Sequence, residues 1–109
     1  MKVFNESKYL KHQELDGQDW VVTIRDVERH SMDGKDGKKE NKFVLFFKEH
    51  EKGMILNATN MKMISKLMGS DESEDWKGKR ITIYTKDDIE MGGEIMSGLR
   101  VRAKLPLAL

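Results

Sequence analysis

The chain of 109 residues has no cysteine, which excludes disulfide staples, thiolate metal sites and thiol catalysis. It has no long apolar run either. The longest, Phe43 to Phe47, falls far short of the ~20 residues of a membrane helix. The N-terminus shows no apolar stretch of the kind a secretory leader needs, so a reducing cytoplasm is the expected setting. Bulk charge of one sign is absent too: the formal net charge is +1, and a basic nucleic-acid binder is not announced by the total. The length fits one domain over residues 1–109, with 1–18 as a lead and 105–109 as a tail.

Charge is nevertheless segregated. Residues 1–41 carry a net −1, 42–69 carry +3, 70–90 carry −3 and 91–109 carry +2. Such a distribution permits a basic face on a near-neutral protein.

Turn signals divide the chain into five strand candidates and one helix. Trp20 to Glu28 is rich in β-branched residues and alternates Val22 and Ile24 against Val21, Thr23 and Arg25. Ser31 to Asn41 is polar throughout and reads as a long mobile loop. Lys42 to Lys48 is the second strand, and Met54 to Leu56, after the Lys52-Gly53 turn, is the third, closing a hairpin with it. The set Asn57-Ala58-Thr59-Asn60 offers helix caps. Met61, Ile64, Leu67 and Met68 follow at helical spacing, and Gly69 is placed to end the helix. Lys79 to Thr85 is the fourth strand. A long connection, Lys86 to Ser97, carries the Met91-Gly92-Gly93-Glu94 turn, and Leu99 to Leu105 is the fifth strand, ended by Pro106. In the lead, Phe4, Tyr9, Leu10 and Leu15 are compatible with a short turn or helix packed on the barrel, or with a frayed segment.

Three strands, a helix and two strands are the order of a mainly β, five-stranded Greek-key barrel, the OB-fold, with its one helix between strands three and four. Three stretches carry a further likeness. They are Leu56 to Asn60, Asp75-Trp76-Lys77-Gly78-Lys79-Arg80-Ile81-Thr82-Ile83-Tyr84 and Gly98-Leu99-Arg100-Val101-Arg102. Over residues 8–104 the chain resembles a family of small OB-fold proteins encoded by phages and prophages, similar in architecture to phage single-stranded DNA-binding proteins. The resemblance implies a role near phage DNA replication or recombination. Typical members end in an acidic tail that recruits partners. This chain reads Leu105-Pro106-Leu107-Ala108-Leu109 there, so recruitment by such a tail is not expected.

The candidate contact residues follow from charge and stacking. Arg100, Arg102 and Lys104 project from one side of strand five, and Arg25 is expected to join them on a first strand neighbouring the fifth. Phe43, Phe47 and Tyr84 are the stacking candidates, with Trp20 and Trp76 near strand ends. Phe43, Leu45 and Phe47 share one face of strand two, and Val44 and Phe46 the other; one face is core, and the pattern leaves open which. The Asp33 to Asn41 loop is expected to close over nucleic acid, while Asp87, Asp88 and Glu90 on the other rim repel phosphate. Asp71, Glu72, Glu74 and Asp75 lack the spacing of a calcium loop, and His12, His30 and His50 lack the spacing of a zinc site.

No catalytic motif appears. The expectation is a non-catalytic binder of single-stranded DNA, or of RNA, without cofactor, metal or membrane. The alternative is a protein-interaction module or small homo-oligomer docking through its apolar tail.

Overall fold

A computed structural model describes residues 9–33 and 37–106. The five strands are β1 (Trp20–Asp33), β2 (Lys39–Phe47), β3 (Met54–Leu56), β4 (Arg80–Met91) and β5 (Glu94–Val101). One helix, α1 (Ala58–Met68), lies between β3 and β4, and 3₁₀ turns occupy His12–Leu15 and Ser73–Trp76. The strands are all antiparallel in the order β3-β2-β1-β4-β5 and form a curled half-barrel.

The curl originates in β1. Its first residues pair with β4, Trp20 opposite Ile83 and Val22 opposite Ile81. From Ile24 onward it pairs with β2 instead, with a bulge between Ile24 and Asp26. A bulge adds a residue on one strand and bends it, so β1 serves both halves. The inward residues alternate along every strand: Val22 and Ile24, Leu45 and Phe47, Met54 and Leu56, Ile81 and Ile83 are all buried. Ile64 from α1, Trp76 from the second 3₁₀ turn and Leu15 from the lead fill the concave side.

Local signals at α1 act as the sequence implies. The Asn57 side chain accepts the Asn60 N–H at 2.8 Å, and Gly69 ends the helix in the left-handed conformation, φ 67°. Buried Asn60 then donates through Nδ2 to the Leu99 carbonyl at 3.1 Å, tying α1 to β5. The lead straps the body: the Leu10 N–H donates to the Gly53 carbonyl at 2.8 Å, and Thr85 Oγ1 donates to the His12 carbonyl at 3.0 Å. Leu10 and Leu15 are buried as expected; Phe4 lies outside the described residues.

Three boundaries differ from expectation. Ser31 to Asn41 is not one long loop: Ser31 pairs with Asn41, Met32 with Glu40 and Asp33 with Lys39. Lys86 to Ser97 is likewise hairpin rather than connection, with Ile89 opposite Met96 and Met91 opposite Glu94 across Gly92-Gly93. Both glycines have positive φ, 59° and 84°, as a two-residue hairpin turn requires. These arms extend past the core, so none of their described side chains is fully buried, and backbone pairing proceeds without apolar alternation. Strand five, expected over Leu99 to Leu105, ends at Val101. The register that sets Ile83 opposite Val101 would set Lys104 opposite Arg80, and like charges in that position oppose pairing. Among the described residues no helix is long and apolar enough to cross a membrane.

Candidate nucleic-acid interface

The outer face of β4 and β5 gathers four of the seven candidate contact residues. Tyr84 stands opposite Arg100, and the Arg102 N–H donates to the Thr82 carbonyl at 2.9 Å, so Arg102 lies two pairs further along. The Arg102 guanidinium carbon sits 3.6 Å from the centroid of the Tyr84 ring, a stacked contact. Its Nε and Nη2 donate to the two carboxylate oxygens of Asp19 at 3.0 and 2.9 Å. This fork geometry suits guanidinium and carboxylate. It holds the Asp19 carboxyl below its ordinary range and pushes Arg102 higher still. Lys104, just past the strand, borders the same cleft as Asp19, Thr82 and Arg102. Arg100 is paired opposite Tyr84 but reaches toward the edge of β5 that α1 borders, its Nη1 donating to the Leu99 carbonyl at 3.0 Å.

The other three candidates lie elsewhere. Arg25 does not join the β5 cations, because β4 separates β1 from β5. At the bulge its guanidinium is 5.4 Å from the Phe46 ring. Phe47 is 1% exposed and belongs to the core, so it offers no face to a base. Phe43, 38% exposed, is on the inner side of the β1–β2 arm, with the Arg29 guanidinium 5.3 Å from its ring. These guanidinium–ring pairs are near the outer limit of ~6 Å for such attraction, whereas Arg102 and Tyr84 are in contact. Of the tryptophans, Trp76 is buried and donates to the Ser70 carbonyl at 2.9 Å, and Trp20 stacks on His50 at 4.2 Å.

Several residues of this surface escaped the sequence. Asp19 is an isolated acid before β1 whose partner is 83 residues away, and no local pattern marks it. Phe46 and His30 share the outer face of the β1–β2 arm, rings 5.7 Å apart, and His30 bridges Tyr9 and Glu28 at 3.0 Å on each side. Phe43 to Phe47 and Met54 to Leu56 are apolar at every position, so no parity in the sequence marks Phe46 as outside. Lys39 to Asn41, expected on a closing loop, are strand residues; residues 34–36 lie outside the described residues. The acidic stretch after α1 bonds internally, Ser70 Oγ donating to Asp75 Oδ2 at 2.6 Å. Among the described residues no cluster of three or more metal-ligating side chains occurs.

No protein-family model, curated protein or solved structure matches this chain at a significant level.

Proposed function

We propose that this chain is a non-catalytic protein that binds single-stranded nucleic acid, DNA in the first instance, largely without regard to sequence. The observation that carries the reading is the flat contact of Arg102 on Tyr84 with Lys104 at the same cleft. Single-strand binders combine stacking surfaces with cations that follow the backbone, and this face has both. Arg100 extends the basic character along the strand.

The architecture is in keeping with an OB-fold. A bent first strand serves two halves of a curled five-stranded sheet, and the helix lies between β3 and β4. Two long hairpin arms, β1–β2 and β4–β5, flank the body where OB-folds carry their ligand-closing loops. The resemblance to small phage-encoded OB-fold proteins supports a role in phage or prophage DNA replication or recombination, in the host cytoplasm.

The test is fluorescence anisotropy of a labelled mixed-sequence single strand of about 30 nucleotides, titrated at low and moderate salt. Saturable binding that weakens with salt and is lost in Arg100→Ala/Arg102→Ala is the expected result. Absence of binding at low salt and high micromolar protein overturns it.

One observation favours a second reading as an interaction module. Ile95 is 73% and Met96 48% exposed on β5, an edge strand. Concentration-dependent mass in light scattering, abolished by Ile95→Lys, would support that reading.

A further inference from the structure

Resting on the nucleic-acid reading, we infer that the cleft beside Arg102 is a slot for one nucleobase bearing an amino group, with Asp19 as the residue that selects it. The cleft has a volume of about 430 Å³ and is lined by Asp19, Thr82, Arg102, Lys104, Leu105 and Pro106.

Arg102 keeps three N–H donors and one open face of its plane. Two of its N–H donors are engaged by Asp19, at 3.0 and 2.9 Å, and one face of its plane lies on Tyr84 at 3.6 Å. A phosphate taking up the remaining donors would sit beside the negative charge of a carboxylate that already neutralises this cation. The uncommitted π-face carries no such conflict, and guanidinium planes stack on unpaired bases. The rest of the lining agrees. Leu105, 50% exposed, and Pro106 give apolar surface suited to a ring rather than to a phosphate. Among the described residues no carboxylate is bonded to Lys104 in the manner of Arg102, and it is suited to the phosphate of the same nucleotide.

Selection follows from hydrogen-bond polarity. Ionised Asp19 only accepts, and each oxygen has spare capacity after its bond to Arg102. It accepts from the amino group of cytosine, adenine or guanine. Thymine and uracil turn a carbonyl oxygen to the same position, and their one ring donor, N3–H, is flanked by two carbonyl oxygens that repel the carboxylate, so they are held less well. The slot therefore adds a modest base preference to binding that is otherwise indifferent to sequence.

Oligo-dC and oligo-dU of equal length test this, because the two bases differ only at ring positions three and four. Anisotropy at mildly alkaline pH is measured for the parent, Asp19→Asn and Arg102→Lys, each first checked for native circular dichroism. The parent should bind oligo-dC about five-fold tighter than oligo-dU, a modest effect for a bond to a charged group that stays partly solvated. Asp19→Asn offers a donor as well as an acceptor, so its ratio should fall toward one while binding persists. Arg102→Lys keeps the charge, loses the plane, and should weaken both oligomers. Equal affinities in the parent overturn the slot and leave the nucleic-acid reading standing. A preference that survives Asp19→Asn overturns Asp19 as its source. Failure of the parent to bind either oligomer overturns both readings.

Discussion

The guanidinium of Arg102 lies 3.6 Å from the Tyr84 ring centroid while Asp19 grips its edge through two bonds. Three parts of the chain meet there: the approach to β1, the middle of β4 and the segment after β5. The carboxylate fixes where the guanidinium plane lies, and the ring fixes which face stays open. Charge and flat surface, which single-strand binding uses together, are thus divided between neighbours, Lys104 supplying the free charge and Arg102 the plane.

That division predicts two different salt responses. Lys104→Ala should lower the slope of log affinity against log salt by about 0.7, the value for one fewer phosphate neutralised on a single strand. Arg102→Leu should weaken binding at every salt concentration and change the slope less, because Asp19 already neutralises this cation. Anisotropy titrations at four or more salt concentrations separate the two. Equal slope changes in both variants would mean that Arg102 binds phosphate directly.

The two phenylalanines of β2 should separate in stability. Phe47 is buried against Ile24 and the rest of the core, so Phe47→Ala should cost ~3–5 kcal/mol. Phe43 is 38% exposed on the arm, and Phe43→Ala should cost roughly 1 kcal/mol. Urea denaturation with an unchanged slope checks both.

Much of the fold was legible because local chemistry and tertiary structure agree. The cap at Asn57, the stop at Gly69 and the short strand Met54 to Leu56 need only neighbours a few residues away. The arms were not legible, since strands that project beyond a core lose the alternation that identifies them. The site was half legible for a related reason. Tyr84, Arg100 and Arg102 follow from the alternation within each of their own segments, which holds although a bulge between Lys86 and Ile89 shifts the register nearer the turn. Phe47 was misplaced because β2 is apolar on both faces, and Arg25 by features with no local signature, the bulge beside it and the position of β4 between β1 and β5.

The cap gives a cleaner stability test than any core position, because it alters no packing. Asn57→Ala removes the acceptor that satisfies the Asn60 N–H, and should cost about 1 kcal/mol. For a domain of this size that is a fall in melting temperature of roughly 4–8 °C. Asn57→Asp restores an acceptor and should recover most of the loss.

Acid should destabilise the protein through three carboxylates. Lys52, with the Lys11 N–H, holds Glu14 below the ordinary glutamate value of 4.5, and Arg102 holds Asp19 below 3.8. Burial raises Glu49, but bonds from the Thr23 N–H and hydroxyl outweigh it and the net shift is downward. Each folded value is depressed, so the stabilisation is fully present above the unfolded values and is lost as pH falls through the folded ones. Denaturation midpoints should hold steady from neutral pH to about 5 and then decline. In Glu14→Gln/Asp19→Asn/Glu49→Gln the decline should be shallower and the neutral-pH midpoint lower.

Gly53 joins the lead strap to the outer face of β2, and it does so by having no side chain. A Cβ there would lie 2.5 Å from Val44 Cγ1 and 2.9 Å from Phe46 Cε1, closer than real contacts allow. Val44 is fully buried on that face, so it has nowhere to retreat, and the strain would fall on Phe46 or on the Gly53 backbone. That backbone accepts the Leu10 N–H at 2.8 Å and forms the bridge to Tyr9. Gly53→Ala should therefore cost ~1–3 kcal/mol and loosen the strap, read as faster amide exchange at Leu10 relative to core amides. Gly98→Ala is the matched control. Its Cβ would sit 3.4 Å from Ile89 Cδ1, an ordinary contact, and stability should change little. Equal losses at the two glycines would trace the effect to strand backbone entropy and not to the crowding of Val44 and Phe46.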